Sequence, residues 1–384
     1  MATATYNLDV IADVLERAVT SGDVPAAVAA VGTRDGFEVV GAYGVTCLEA
    51  LRPFADEAIC YDVTPDTYFD LASLTKVTST LLAILKLEQA GELSLDDSVQ
   101  RFVGNAGWAQ TPSLASVTLV ELLSHSSGLP AWRPLFAWVS SRQTALANAL
   151  QSSVEHPQQL TYSDLGYITL GAIIESITNL RQDEFVRPHL DALGLTSAHY
   201  RPHDQYPVNH DPITQDPQPA YAATERCGWR KQLMWADVHD ENAWVMGGVS
   251  GHAGLFGTIT DMARYCQAWL NLDARLGRPE LLQNCTKVHV DDSGRRQGLG
   301  WHHKHSGGHY SFAGKVASAS GYGHTGFTGT SVWLEPEQDW FGVLLTNRVH
   351  PSRHSQADPV TGQTGIVRTR YAFYEAVAKV FARS

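Results

Sequence analysis

An α/β domain interrupted by an all-α insertion is the fold class that the 384-residue sequence predicts. Strand patterns gather toward the two ends of the chain and helical periodicity fills its middle. The length, well above the usual domain of about 150 residues, asks for two units or one large composite. The predicted organisation is an antiparallel sheet flanked by helices from residues 1–80 and 290–384, a mostly helical domain from residues 81–289, and a working cleft between them.

Taken in order, "MATATYNLDVIADVLERAV" places Leu8, Ile11, Leu15 and Val19 on one face of a first helix. "AAVAAVGTRDGFEVVGAYGV" then puts a turn, Arg34-Asp35-Gly36, between two β-rich runs, so a hairpin is expected. From Ser73 to Leu87 the spacing of Val77, Leu81, Leu82, Ile84 and Leu85 predicts a buried helix that Gly91 closes. The pattern stays mostly helical to about residue 290, broken by the polar loop "PHDQYPVNHDPITQDPQP" (202–219). "TSVWLEP" and "WFGVLLTN" read as a second hairpin with Glu337 and Asp339 in its turn, and "VRTRYAFYEAVAKVFA" as a closing helix. No repeat at solenoid periods is visible.

Composition narrows the function. Hydrophobic residues make up 44% and charged residues 18%, an ordinary globular balance. A net charge of -12 with no Lys/Arg run argues against nucleic acid as a partner, because binding phosphates needs a basic surface. No stretch reaches the 18 or so apolar residues of a membrane span, and the opening residues lack the basic and apolar regions of a secretion signal, so a cytoplasmic location is expected. Cys47, Cys60, Cys227, Cys266 and Cys285 are scattered, without CxxC or metal-ligand spacing, and read as buried thiols.

Three stretches could carry chemistry. In "FDLASLTKVTS", Ser73 and Lys76 stand three apart at a helix start. The amine can reach the serine oxygen, and the first turn offers a free N–H and the positive end of the helix dipole to an oxyanion. Burial is expected to lower the Lys76 pKa toward useful base strength. In "TYSDLGY", Tyr162 and Asp164 sit in a turn before another helix, where a phenol held near an ammonium can carry a proton. In "GYGHTGFTGTSVW", His324 and Thr325 offer donors to a substrate, and Gly326 lets backbone approach a ligand closely. Each stretch alone also has a bland reading: a chance Ser-x-x-Lys, a core tyrosine with a capping Asp164, a turn with a solvated histidine.

Together, Ser73-Leu74-Thr75-Lys76, Tyr162-Ser163-Asp164 and His324-Thr325-Gly326 resemble, in order, the Ser-x-x-Lys, Tyr-x-Asn and Lys-Thr-Gly motifs of the serine β-lactamase and penicillin-binding protein superfamily. That superfamily includes class C β-lactamases, D-alanyl-D-alanine carboxypeptidases, D-aminopeptidases and family VIII carboxylesterases. "LLSHSSGLP" and "GGVSGHAGLFGTITDMARY" resemble further stretches common in it, so the likeness spans nearly the whole chain. The resemblance implies a β-lactamase/transpeptidase-like fold with Ser73 as nucleophile and Lys76 and Tyr162 sharing its proton. The N–H groups of Ser73 and Phe327 would form the oxyanion hole, and Asp164 would touch substrate or Lys76. His324 would replace the usual lysine. Asp164 in place of asparagine brings a negative charge, and a neutral His324 would hold a substrate carboxylate less firmly than lysine. Both departures weaken the case for efficient penicillin or cephalosporin hydrolysis.

The expected activity is therefore acyl transfer to water through an acyl-enzyme, foremost as a carboxylesterase on small acyl esters. A β-lactamase or a D-alanyl or D-amino-acid peptidase or amidase is the alternative, and a catalytically silent binding protein is the alternative of another class. The partner is a small ester, amide or β-lactam; no cofactor is implied. Four histidines in "WHHKHSGGHY" (301–310) invite a zinc site, but strand alternation would send His302 and His303 to opposite faces, so an exposed strand and turn is expected and no metal. "GGVSGHAGLFG" lacks the Lys-Ser/Thr ending of a phosphate loop and reads as tight turns, with Thr258 and Asp261 as a capping box and "GLFGT" against the substrate pocket.

Overall fold

The protein is described by a computed structural model over residues 7–48, 60–103, 111–204, 220–306, 311–354 and 364–382. Most of the polar loop 202–219, and the last four residues of the histidine-rich stretch, lie outside the described residues.

An eight-stranded sheet forms the frame, from β1 (Ala26–Gly32), β2 (Phe37–Gly44), β3 (Val290–Asp292), β4 (Arg295–Gln297), β5 (His302–His303), β6 (Tyr322–Thr325), β7 (Ser331–Glu335) and β8 (Trp340–Thr346). Its order is β2-β1-β8-β7-β6-β5-β4-β3, with every neighbouring pair antiparallel. The expected hairpins are β1–β2 and β7–β8. Their turns meet, because Arg34 donates from its backbone N–H and its guanidinium to the Asp339 carboxylate at 3.1 and 2.9 Å. Asp339 holds a φ of +57°, a left-handed turn position that aspartate tolerates better than most residues.

β1 reads AAVAAVG without polar alternation because both of its faces are covered. Ala27, Ala29 and Val31 pack with Trp333, Trp340 and Leu344 against α1 (Asp9–Thr20) and the closing helix Gly365–Phe381. Ala26, Val28 and Ala30 face the larger core with Val332, Phe341, Val343 and Leu345. Onto that second face comes the helix Ile259–Leu270, started by the expected capping box: Thr258 Oγ1 accepts the Asp261 N–H, and Asp261 accepts the Thr258 N–H at 3.0 Å. Each fully buried large apolar side chain contributes about 1.5–3 kcal/mol, so both faces are strongly held.

Two expectations are corrected here. The segment around His302 and His303 is no exposed strand: β5 is paired on both sides, by β4 and β6, and His303 is buried. "GLFGT" is the buried middle strand Leu255–Gly257 of a separate three-stranded sheet, between Phe69–Asp70 and His199–Tyr200. That small sheet supports the turn that carries Ser73.

Candidate active site

The Ser73 turn begins where Phe69–Asp70 leaves the small sheet. The Leu71 N–H continues onto the Leu255 carbonyl at 2.9 Å, and the Leu255 N–H returns to the Thr75 hydroxyl at 3.1 Å. Between them Ala72 adopts a φ of +47°, a left-handed conformation that costs a residue with a Cβ about 1 kcal/mol or more. Helix starts at once beyond it, with the Leu74, Thr75 and Lys76 N–H groups bonded to the carbonyls of Leu71, Ala72 and Ser73. The helix opens as a π-helical stretch, Lys76–Leu81, before becoming the α-helix Leu82–Gln89. Insertions of this kind favour functional sites. Ser73 is half-buried at the cleft, while Lys76 is fully buried.

Lys76 Nζ donates to Ser73 Oγ at 2.9 Å and to the His252 carbonyl at 3.2 Å, and pairs with Asp164 Oδ1 at 2.8 Å. It lies 4.8 Å from the centre of the Tyr162 ring, whose hydroxyl interacts with both Lys76 and Ser73. This surrounding corrects the expectation for the lysine. Burial pushes its pKa down, but Asp164 and then Tyr162 push it up, and the net shift is upward. Lys76 rests as an ammonium. Burial raises Tyr162 as well, against the opposing pull of Lys76, so the phenol keeps its proton.

Asp164 and Tyr162 are placed by the helix Asp164–Thr178. Ser163 caps it, accepting the Gly166 N–H at 3.2 Å and donating to the Pro130 carbonyl at 2.7 Å. Asp164 then falls in the first turn, where the helix dipole favours a carboxylate. The Ser163 N–H donates to His125 Nδ1 at 3.0 Å, which fixes the ring of the histidine in "LLSHSSGLP" as the Nε2–H tautomer.

Tyr162 is walled by imidazoles. Ring centres of His125, His302 and His324 lie 4.4, 5.6 and 5.9 Å from its own, and His302 stacks on His324 at 4.6 Å. His324 is fully buried, with Nδ1 against the Thr325 carbonyl at 2.9 Å, so Nδ1 carries the hydrogen and Nε2 is left as an acceptor. Burial, followed by the neighbouring His302 and Lys76, pushes its pKa well below the usual histidine value; burial does the same to His125. His302 falls to about 3, chiefly through burial. The wall is uncharged at neutral pH, and His324 is not the solvated histidine of the bland reading.

Thr325 ends β6, and Gly326 brings the next turn onto the Ser73 loop. A Cβ at Gly326 would lie 2.6 Å from the Leu71 carbonyl, so only glycine allows the two backbones this close. Phe327 follows, 48% exposed, with His239 stacked at 5.6 Å and the Arg348 guanidinium 4.5 Å from its ring centre. Among the described residues, neither the Ser73 N–H nor the Phe327 N–H has an acceptor.

Some neighbours of the site were not singled out from sequence. His252 Nε2 meets Asp240 Oδ1 at 2.8 Å, and Asp240 also accepts the Ala243 N–H. Burial alone would raise the Asp240 pKa, but His252 and this N–H hold it below the usual carboxylate range. Asp164, Asp240 and His252 bring ligand-type atoms within 4.8 Å of one another, yet Asp164 is taken by Lys76 and Asp240 by His252. The Lys76–Asp164 ion pair and the His252–Asp240 hydrogen bond account for the grouping. The one signal in the sequence was the nearness of His252 to the glycines of "GGVSGHAGLFG".

Comparison with known proteins identifies the family and the fold. The profile of the Beta-lactamase family matches residues 11–364. A putative D-alanyl-D-alanine carboxypeptidase of Salmonella typhi is 31% identical over 336 residues, covering 79% of this chain and 75% of that protein. Among solved structures, the octameric penicillin-binding protein homologue of Pyrococcus abyssi aligns with a TM-score of 0.69 at 21% identity, over 98% of this chain and 78% of that one. The class C beta-lactamase of Rhodobacter sphaeroides aligns with a TM-score of 0.69 at 18% identity (97% and 99%), and LovD, the simvastatin synthase of Aspergillus terreus, with 0.67 at 18% (98% and 99%). These structures share the β-lactamase/transpeptidase fold that the sequence predicted. With a profile match across most of its length, a 31% identical relative and the same fold, the chain belongs to the Beta-lactamase family.

Proposed function

We propose that this protein is a serine acyl hydrolase that works through an acyl-enzyme on Ser73 and acts on small, uncharged acyl esters. The contact of Ser73 Oγ with Lys76 Nζ at 2.9 Å carries this reading. In acylation Ser73 Oγ attacks the carbonyl carbon while its proton passes to the Lys76–Tyr162 pair. The oxyanion is received by the Ser73 and Phe327 N–H groups, and the proton then moves to the departing alkoxide. In deacylation a water loses its proton to the same pair, attacks the ester carbonyl, and Ser73 regains its hydrogen. Because Lys76 rests as an ammonium, the reactive fraction is the one in which the pair has lost a proton, and turnover rises with pH through the neutral range.

The preference for uncharged groups follows from the charges at the cleft. Asp164 and Asp240 are acidic, while His324, where the family resemblance expects a lysine, is neutral and buried. The Asp164 charge is offset by the Lys76 ammonium, and a substrate carboxylate finds no fixed cation at His324, so neutral groups are favoured. A second reading, a D-alanyl carboxypeptidase, is favoured by the 31% identical relatives that carry that name.

Short p-nitrophenyl esters, nitrocefin and a D-alanyl-D-alanine peptide assayed side by side decide between them. Ester cleavage at least tenfold above the others in kcat/KM supports the first reading; peptide cleavage without ester turnover supports the second. A fluorophosphonate that leaves Ser73 unlabelled by mass spectrometry refutes both and points to a silent binding protein.

A further inference from the structure

Asp70 lies three residues before the nucleophile, is buried to 2% exposure, and bonds through its carboxylate to neither Ser73 nor Lys76. Both of its carboxylate oxygens are nevertheless spent on backbone. Oδ1 accepts the Ala72 N–H at 2.8 Å, closing an Asx-turn around the left-handed residue that immediately precedes Ser73. Oδ2 accepts the His239 N–H at 2.7 Å, and His239 stacks on Phe327. The main chain adds further ties: the Thr328 hydroxyl donates to the Asp70 carbonyl at 2.7 Å, and the Thr330 hydroxyl to the Leu71 carbonyl at 3.1 Å.

We propose that Asp70 is a positioning residue that holds the two N–H groups of the oxyanion hole in register, by clamping the left-handed turn at Ala72 on one side and the His239 backbone behind Phe327 on the other. The inference rests on the reading of Ser73 as nucleophile. Its chemical core is that both bonds run from N–H donors to one carboxylate. Asparagine has the same shape but must turn its NH2 toward one of those donors, which breaks one arm of the clamp and leaves a buried N–H unpaired. With the NH2 toward Ala72 the side-chain bond that favours φ +47° is lost and the Ser73 N–H shifts with the turn, even though the Thr75 N–H still bonds the Ala72 carbonyl; with the NH2 toward His239 the Phe327 side loosens instead. Substrate binding in the cleft does not depend on that N–H, whereas the oxyanion does, so the loss falls on kcat.

Glycine at position 72 separates a positioning role from a merely structural one, since it adopts the left-handed conformation without a Cβ penalty and no longer needs the clamp. The experiment compares wild type, Ser73→Ala, Asp70→Asn and Asp70→Asn/Ala72→Gly on the best p-nitrophenyl ester found, with circular dichroism for folding and the rate of fluorophosphonate labelling. Asp70→Asn is expected to lose 100-fold or more in kcat and in labelling rate with KM within threefold. The added Ala72→Gly is expected to return at least tenfold of the kcat. The proposal is overturned by a folded Asp70→Asn with kcat within threefold of wild type, by a loss confined to KM, or by a folded double variant that recovers nothing. If Asp70→Asn alone does not fold, a folded and active double variant supports the proposal. A double variant that is also unfolded overturns it, because Asp70 is then required for folding irrespective of the turn. Retained activity in Ser73→Ala would instead refute the nucleophile assignment.

Discussion

The two sides of the cleft handle burial in opposite ways. On the Ser73 side charge survives inside the protein because it is paired: Lys76 is fully buried, yet Asp164 keeps it protonated. Across the Tyr162 ring His125 and His324 are buried and His302 is half-buried, but among the described residues none of the three meets a carboxylate, and their imidazoles lose their charge. Tyr162 stands between a fixed positive charge and a neutral, polarisable surface. Whether a titratable group is charged in this cleft is decided by its partner rather than by its depth.

The largest expected effects fall on the charged side of the cleft. Ser73→Ala is expected to abolish turnover and labelling, and Lys76→Ala and Tyr162→Phe each to lower kcat by 10³-fold or more with circular dichroism unchanged. Lys76→Ala also leaves the Asp164 charge without its partner, so a loss of about 3 kcal/mol in denaturant-derived stability is expected. Activity within tenfold of wild type in Lys76→Ala or Tyr162→Phe would remove that residue from the proton path.

Asp164→Asn probes the pairing itself. Asp164 is what lifts the lysine against the downward pull of burial, so its removal lets Lys76 give up its proton at lower pH. The acidic limb of the kcat/KM profile is expected to move down by one pH unit or more. A limb that stays in place, or moves up, contradicts the account of Lys76.

His302 of the neutral wall, with its neighbour His303, shows itself in stability rather than rate. With folded pKa values near 3 for His302 and near 4 for His303, against 6.5 when unfolded, the unfolded chain takes up protons below about pH 6.5 that the folded chain refuses. Their contribution is complete above that pH and is lost as the pH falls toward 4, by at most about 1.4 kcal/mol per pH unit for each histidine. His302→Phe keeps a ring beside Tyr162 and His324 and should flatten the fall of Tm between pH 6 and 4; an unchanged slope would mean that His302 does not titrate on unfolding. The smallest effect belongs to Arg34→Ala, outside the cleft. Its pair with Asp339 is partly solvated on both sides, and no more than about 1 kcal/mol should be lost in a chemical melt.

Much of the frame was legible in the sequence. The hairpins of β1–β2 and β7–β8 and the buried helix after Ser73 follow from apolar spacing and turn residues, which act over a few positions. Ser73, Lys76, Tyr162 and Asp164 do converge, because two helix starts bring them together. The histidine wall was not legible. Its members come from positions 125, 302 and 324, and no local pattern ties them to residue 162. Polar residues in a short segment suggest solvent, and only the pairing of β5 between β4 and β6 buries them. The protonation state of the lysine is hidden for a related reason: its burial follows from the helix, the effect of Asp164 on it only from a distance of 2.8 Å.

The sheet carries one more consequence, in time rather than space. β1 lies between β2 and β8, and the turns of the two hairpins are joined by Arg34 and Asp339, 305 residues apart. At synthesis rates of about 5–20 residues per second, β1 and β2 leave the ribosome roughly 15–60 s before β8 exists. Through that interval a strand that is buried on both faces in the finished sheet presents a row of unpaired backbone groups, open to any other nascent chain. The yield of folded protein should therefore depend on how the cell shields the β1–β2 hairpin while the rest of the chain is being made.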